Sequence, residues 1–286
     1  MHTWHWRNWE GLPYLTCSLL ENWQHGFFTH QFWPRSPQDL TQVLHPSAST
    51  YRLKQVHGNT VLTPQEVDSQ LNNMAEDEDS AFAAADGLVT EQSLQAVWVA
   101  SADCTPVLIG DVCTGQVAAL HAGWRGTAAK IVPQAIARLQ AQGSKLEDLR
   151  FAMGPAIAGE VYQVSVEVAA EIGASIISHE DAQKIVHGLH ELPNSPLLAD
   201  PEPGKVRVDV RRVNTLQLEN LGISAEQIAI APYCTYQSPE HFFSYRREQQ
   251  KKVQWSGIVS RKNTQSISGR KRSATDPNGK YSHRIT

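Results

Sequence analysis

Two short apolar segments lie close together near the middle of the chain. Residues 97–100 (VWVA) and 117–120 (VAAL) contain no polar residue, and this pattern predicts buried β-strands. Cys104 follows the first segment and His121 follows the second. Strand ends hold side chains in place while the adjoining loops give access. We therefore expect both side chains to face one cleft.

Other segments alternate between strand-like and helix-like patterns of apolar positions. The predicted elements are strands over residues 149–153 and 228–231, helices over 128–142 (capped by Thr127) and 164–177, and an extended segment turning into a helix over 206–221. Pro133 lies inside the first helix and is expected to kink it or shift its start. This alternation, without a dinucleotide or Walker-type glycine motif, predicts an α/β fold with a mixed sheet.

Four further stretches are less regular. Residues 1–33 are aromatic-rich with polar residues between, which predicts partly buried edge strands. Residues 64–83 are acidic and polar, and we expect a solvated loop there. The proline-rich residues 190–205 predict a surface loop. Residues 242–247 (FFSYRR) are interpreted as a strand that directs one of its two arginines inward.

Composition and charge predict a folded body with a basic tail. The chain has 286 residues, 41% of them hydrophobic, which is enough to build a sizeable core. Residues 261–286 carry seven Lys or Arg and one acidic residue, so the net charge of −4 leaves residues 1–260 at about −10. An acidic body argues against a nucleic-acid surface. We expect residues 1–260 to form one domain and residues 261–286 to be disordered.

The four cysteines are too sparse for a disulfide scaffold and indicate a reducing compartment. The N-terminus lacks a signal-peptide core, and no segment approaches the ~18 apolar residues needed to span a membrane. A cytoplasmic protein without a membrane partner is therefore predicted.

His57 is a third candidate metal ligand, in addition to Cys104 and His121. It lies beside the turn residues Gly58 and Asn59. Two imidazoles and one thiolate suit zinc, and three protein ligands leave a fourth position for water or substrate. Spacing alone leaves the ordinary alternative open, in which the cysteine is an apolar filler and the histidines are hydrogen-bonded structural residues.

Two arginines are candidates for binding an anion. Arg125 lies in a glycine-rich turn that opens a helix, where unpaired backbone N–H groups favour phosphate. The alternative is an ion pair with Asp86 or Asp103. Arg246 is a candidate to hold phosphate or a carboxylate if its side chain faces the cleft.

The two carboxylates, Asp86 and Asp103, also carry two interpretations. Each is either an acceptor that orients a metal-binding imidazole or a turn residue before a strand.

Cys234 also has two interpretations, because it either lines the cleft or packs in the core.

Seven ordered segments resemble the signature blocks of the YfiH family, also called the laccase-domain or polyphenol-oxidoreductase family. The resemblance extends from about residue 26 to residue 260. The segments are residues 54–58 (KQVHG), 85–90 (ADGLVT), 102–108 (ADCTPVL), 121–127 (HAGWRGT), 154–157 (GPAI), 234–236 (CTY) and 242–247 (FFSYRR).

The resemblance implies a layered α/β/β/α sandwich with mixed sheets and a zinc-dependent purine nucleoside phosphorylase. The implied substrates are adenosine, inosine, guanosine and S-methyl-5'-thioadenosine with phosphate, and adenosine deamination is implied at the same site. His57, Cys104 and His121 would be the metal ligands, with zinc expected and copper as an alternative. The partners would be small molecules, and the oligomeric state is not determined by the sequence.

Three other functions remain open at this point. The same zinc site would suit an amidase that removes a wrongly added amino acid from peptidoglycan precursors. A copper polyphenol oxidase is disfavoured because the candidate segments contain no His-X-His pair. A binding protein that keeps the fold without turnover is the third alternative.

Overall fold

The computed structural model describes residues 2–73 and 81–262. Its strands form two six-stranded sheets and one three-stranded sheet. The first sheet contains β1 (Trp4–Trp9), β2 (Leu12–Cys17), β3 (His25–Phe28), β4 (Ser49–Tyr51), β7 (Gln95–Ser101) and β15 (Gln254–Val259). Its strand order is β1-β2-β3-β15-β7-β4. The prediction of edge strands over residues 1–33 is confirmed for β1 and is wrong for β2 and β3, which lie inside the sheet.

The second sheet contains β5 (Val61–Leu62), β6 (Gly87–Val89), β8 (Thr105–Asp111), β9 (Val117–Ala122), β10 (Leu149–Met153) and β14 (Ile228–Ile230). Its order is β14-β10-β8-β9-β6-β5. The third sheet contains β11 (Gln163–Ser165), β12 (Leu197–Ala199) and β13 (Lys205–Val208), with β13 in the centre. Both large sheets mix parallel and antiparallel pairs.

The helices lie outside the two large sheets. They are α1 (Pro37–Leu44), α2 (Pro64–Asn73), α3 (Trp124–Ala128), α4 (Ile131–Ala141), α5 (Val166–Gly173), α6 (Ala182–His190), α7 (Val210–Asn220) and α8 (Tyr245–Glu248). Helices α5 and α6 pack with the three-stranded sheet around a core of their own.

The core lies mainly between the two large sheets. Val97 and Ile258 from the first sheet meet Leu108 and Ala119 from the second in one fully buried cluster. Burying an aliphatic side chain of this size stabilises the fold by about 1.5–3 kcal/mol. The sheet-to-sheet interface is therefore a major stabilising element of the molecule.

The outer faces of both sheets are covered by helices. Trp98 alternates with Val97 along β7 and packs against Leu40 of α1. Leu120 of β9 packs against Ile136 of α4 on the far side of the other sheet. The order of layers is thus helix, sheet, sheet, helix, which confirms the predicted α/β/β/α sandwich with mixed sheets. Because both faces are buried, these strands are continuously apolar.

The predicted loop over residues 64–83 is wrong over its first half, because residues 64–73 form α2. The Thr63 N–H donates to Glu66 Oε2 at 2.7 Å and the Glu66 N–H donates to Thr63 Oγ1 at 3.2 Å. This reciprocal cap, followed by a proline at the first helical position, starts a helix despite the polar composition. Residues 74–80 lie outside the described part of the chain.

The single helix predicted over residues 128–142 is two helices. Lys130 has a left-handed φ of 60°, which separates α3 from α4, and Thr127 lies inside α3 instead of capping a helix. Pro133 therefore falls in the first turn of α4, where its missing N–H has no intrahelical acceptor to lose. The expected shift of the helix start is what the structure shows.

Three other boundaries differ from the predictions. The segment 164–177 is the end of β11 followed by α5, because Ser165 caps the helix. The segment 190–205 contains the strand β12. The predicted strand over residues 242–247 is wrong, since the Ser244 side chain accepts from the Arg247 N–H and starts the short helix α8. The strand over 149–153 and the strand-then-helix over 206–221 are confirmed, and the strand predicted over 228–231 is confirmed over 228–230.

No helix in residues 2–73 and 81–262 is long and apolar enough to cross a membrane. The structure describes only residues 261 and 262 of the basic tail. The prediction of disorder therefore concerns residues that lie outside the described part of the chain.

His25 provides a test of the core at β3. It is 5% exposed; its Nδ1 donates to the Trp23 carbonyl at 2.9 Å, and its Nε2 accepts from the Cys17 N–H at 2.9 Å. Burial lowers the pKa of His25 to about 4, against 6.5 for an ordinary histidine. Below pH 6.5 the unfolded chain thus binds a proton that the folded chain does not, and stability falls.

As the pH falls from 6.5 to 4, we expect the contribution of His25 to lower the free energy of unfolding by about 3 kcal/mol. Urea unfolding of wild type and His25→Gln across this pH range measures how steeply the free energy of unfolding of each protein changes with pH. His187→Gln, which removes an exposed histidine of α6, should keep the wild-type profile. Parallel profiles for wild type and His25→Gln would show that His25 does not contribute to the acid loss.

Candidate metal centre

Cys104 and His121 lie at the same edge of the second sheet. Cys104 immediately precedes β8, and His121 is the penultimate residue of β9. The two strands are antiparallel neighbours, with Thr105 opposite Ala122 and Pro106 opposite His121. The start of one strand therefore meets the end of the other, which confirms that both residues share one site.

Asp86 brings His57 to this edge. Its Oδ1 accepts from the His57 N–H at 2.9 Å and from His121 Nδ1 at 2.8 Å. Its Oδ2 accepts from the N–H groups of Val56 at 3.1 Å and Gly58 at 2.7 Å. The carboxylate is fully buried and holds the turn in which His57 has a left-handed φ of 60°. One side chain therefore holds both the backbone of His57 and the ring of His121.

The three candidate ligand atoms converge. One nitrogen of each imidazole and the Cys104 Sγ all lie within 4.8 Å of one another, and the imidazole ring centroids are 4.8 Å apart at 79°. Tetrahedral zinc with bonds of about 2.0–2.3 Å places its ligands about 3.3–3.8 Å apart. The donors, which all lie within 4.8 Å of one another, are at most about 1–1.5 Å farther apart than these separations. Asp86 occupies Nδ1 of His121, which leaves Nε2 free to act as a ligand.

The site favours a thiolate. Burial raises the pKa of Cys104, but the charge and hydrogen bonds of His121, together with His57, outweigh burial and lower the pKa to about 6. Burial lowers the pKa of His121, while the Cys104 and Asp86 charges raise it to about 9. Without a metal, the sulfur is thus deprotonated and the His121 imidazole protonated near neutral pH. A metal ion binds the thiolate and displaces the proton from Nε2 of His121.

Gly123 and Gly126 let helix α3 approach the site closely. A Cβ on Gly123 would lie 2.8 Å from the Cys104 sulfur, and a Cβ on Gly126 would lie 2.8 Å from the Gly58 carbonyl oxygen. Any larger residue would displace the sulfur or the His57 turn. The glycines are therefore needed for close packing at the three donors.

Arg125 is an exposed residue of α3 whose guanidinium lies 4.4 Å from the Trp124 ring centroid. The alternative ion pair with Asp86 or Asp103 is not formed, because Asp86 contacts His121 and Asp103 contacts Thr235 and Arg246. The guanidinium edge is open to a ligand.

Asp103 accepts hydrogen bonds from a threonine hydroxyl and a backbone N–H, and none from an imidazole in the described residues. It has a positive φ of 96° directly before Cys104. Its Oδ1 accepts from the Thr235 hydroxyl at 2.7 Å and its Oδ2 accepts from the Arg246 N–H at 2.7 Å. Asp103 thereby ties α8 to the cysteine turn and brings Arg246 beside the site although no strand is present there.

Two further residues complete the surroundings. Cys234 packs in a small buried cluster, and its Sγ accepts from the Ala158 N–H at 3.2 Å, as the packing alternative expects. Tyr162, which the sequence candidates did not include, lies under the Arg246 guanidinium with Cζ 4.9 Å from its ring centroid. The only sequence signal for Tyr162 is its position five residues after the matched segment 154–157.

The family model for the multi-copper polyphenol oxidoreductase laccase matches residues 36–261, and the chain belongs to this family. A purine nucleoside phosphorylase of Synechocystis sp. is 53% identical over 261 residues, covering 90% of this chain and 97% of that protein. A protein named adenosine deaminase RL5, from an unknown prokaryotic organism, is 30% identical over 172 residues and 60% of each chain.

Among solved structures, YlmD from Geobacillus stearothermophilus aligns with a TM-score of 0.71 at 23% identity. The alignment covers 90% of this chain and 98% of that one. Similarity at this level of identity shows the shared fold.

Replacing Asp86 by Asn should destabilise the protein by about 3 kcal/mol or more, because the amide can no longer accept from four N–H groups. Asp111→Asn is the matched control. Asp111 is equally buried, but its Oδ1 alone accepts from Cys113 and Thr114 while Oδ2 has no partner in the described residues.

Urea unfolding of chelator-treated protein measures both variants, so that bound metal does not contribute. Equal losses for the two variants would show that the Asp86 network has no special role in stability.

Proposed function

We propose that this protein is a zinc-dependent purine nucleoside phosphorylase. Its substrates would be adenosine, inosine, guanosine and S-methyl-5'-thioadenosine, each cleaved with phosphate to the base and the ribose 1-phosphate or methylthioribose 1-phosphate. The observation that carries the proposal is the convergence of Cys104, His57 and His121 at an edge with His57 exposed. The 53% identical relative with this name supports the choice of substrate class.

The donor set favours zinc over copper. In residues 2–73 and 81–262, one group of three His, Cys, Asp or Glu side chains converges this closely, and it contains two histidines. A multicopper oxidase needs about ten histidines to hold its cluster, whereas two imidazoles and one thiolate suit a single zinc ion. Zinc held by these three side chains would supply Lewis acidity and a water molecule that ionises near neutral pH.

Arg125 and Arg246 are the candidates for binding phosphate. Arg125 lies two residues after Gly123, which packs on the Cys104 sulfur, and the Arg246 backbone N–H donates to Asp103, the residue before Cys104. Their charges would attract phosphate and orient one of its oxygens towards C1' of the ribose. A bond forms between that oxygen and C1', the bond from C1' to the base nitrogen breaks, and its electron pair leaves on the base. A proton from phosphate or solvent then completes the neutral base.

We also propose adenosine deamination at the same site, because one relative is named an adenosine deaminase. Water would add to C6 of the base, the C6–N bond would break, and the products would be inosine and ammonia. Asp86 would keep the tautomer of His121 fixed during both reactions.

Purified protein given adenosine and phosphate should form adenine and ribose 1-phosphate, together with inosine from deamination. Cys104→Ser should lower both activities at least about 100-fold, because a metal ligand is lost. Cys113→Ser is the matched control, since Cys113 is also a partly exposed free cysteine and lies at the opposite end of β8. Chromatography of the products quantifies both reactions.

A His57→Ala variant that retained both activities would contradict the assignment of the site. Turnover of a serine-bearing muramyl precursor in place of nucleosides would instead support the amidase alternative. Dye oxidation with oxygen consumption after copper loading would support the polyphenol oxidase alternative.

A further inference from the structure

Tyr162 occupies a junction beside the candidate metal centre. It follows a short helical turn at residues 159–161 and immediately precedes β11. Its side chain packs against two buried clusters, one that includes Val208 and Val210 and one that includes Ile157 and Ala158. The aromatic ring is therefore fixed by two separate apolar clusters, and this leaves its hydroxyl with a defined position.

Arg246 is fixed against this ring. Its Nη1 donates to the Gln163 carbonyl at 3.0 Å, its backbone N–H donates to Asp103 at 2.7 Å, and its Cζ lies 4.9 Å from the Tyr162 ring centroid. A guanidinium over an aromatic face is held by attraction to the ring. Within the described residues, Nε and Nη2 of Arg246 have no hydrogen-bond partner and are available to an anion.

Burial and the charged residues around the site shift the pKa of the Tyr162 hydroxyl. Burial raises the pKa of Tyr162 most, the charges of Cys104 and Asp103 raise it further, and Arg246 and Arg125 lower it, giving a pKa of about 12. The hydroxyl therefore stays protonated at physiological pH and offers a neutral hydrogen-bond donor on the ring that contacts Arg246. Trp124, whose ring contacts Arg125, packs against the same apolar cluster as Tyr162. The hydrogen-bonding capacity of the Tyr162 hydroxyl is not used by any residue that the structure describes.

We propose that Tyr162 binds the phosphate co-substrate, with its hydroxyl donating a hydrogen bond to a phosphate oxygen between Arg246 and Arg125. This inference rests on the proposed phosphorolysis. The ring of Tyr162 positions the guanidinium of Arg246, and the hydroxyl contributes the third contact to the anion. A neutral donor adds affinity for phosphate without adding a further charge next to the thiolate of Cys104.

Tyr162→Phe keeps the ring and the stacking contact but removes the donor. A hydrogen bond to a charged group changes affinity roughly 10- to 100-fold, so the KM for phosphate should rise by about that factor. The KM for the nucleoside should stay within about twofold. Tyr162→Leu, which also removes the support of Arg246, should raise the KM for phosphate further.

Tyr14→Phe is the matched control. Tyr14 is another partly buried tyrosine whose pKa burial raises, and it stacks on Phe28 in the first sheet. Its removal should leave both KM values unchanged. Circular dichroism and thermal unfolding establish that each variant is folded before kinetics are measured.

Equilibrium dialysis with labelled inorganic phosphate measures the same affinity without turnover. Weaker phosphate binding by Tyr162→Phe than by wild type supports the inference. Unchanged phosphate affinity and an unchanged KM for phosphate in a folded Tyr162→Phe protein would overturn it. A wild type without nucleoside phosphorolysis would overturn the proposed function instead, while the dialysis result would still decide the role of Tyr162.

Discussion

The buried carboxylate of Asp86 is the constraint on which the site depends. It accepts N–H groups from three consecutive residues of the His57 turn and from the ring of His121. The hydrogen bonds offset the cost of burying a charge, and they hold its pKa below the ordinary value although burial alone would raise it. Because the His57 turn and the His121 ring are both hydrogen-bonded to this buried carboxylate, the two histidines lie side by side before any ligand binds.

The sandwich explains why such a constraint can be maintained. Asp86 directly precedes β6, and its backbone carbonyl accepts from the His121 N–H at 2.8 Å, so the carboxylate is fixed from both its main chain and its side chain. The neighbouring strands are buried on both faces, with no space for the turn to move inward. Among the three candidate ligands, His57 is exposed, Cys104 is half-buried and His121 is buried, so the site is most accessible at His57.

Much of this arrangement is predictable from the sequence. The apolar runs 97–100 and 117–120 predict the strands β7 and β9, and the ordered motifs predict the layered fold. The expectation that these two strands are neighbours is wrong, because β7 belongs to the first sheet and Cys104 instead precedes β8, the neighbour of β9 in the second. The position of Arg246 could not be predicted from strand alternation, because the Ser244 cap turns that segment into a helix. Its approach to the site depends on a contact with Asp103, 143 residues away in the sequence. The position of Tyr162 beside Arg246 also depends on long-range packing, which local sequence patterns do not encode.

X-ray absorption at the zinc edge would show whether one thiolate and two imidazoles bind a single metal ion, as we propose. Protein loaded with one equivalent of zinc should show one sulfur at about 2.3 Å and two nitrogens at about 2.0–2.1 Å, with a lighter atom in the fourth position. The sulfur contribution should disappear in Cys104→Ser and persist in Cys113→Ser. A spectrum with only oxygen and nitrogen ligands in the wild type would contradict the account.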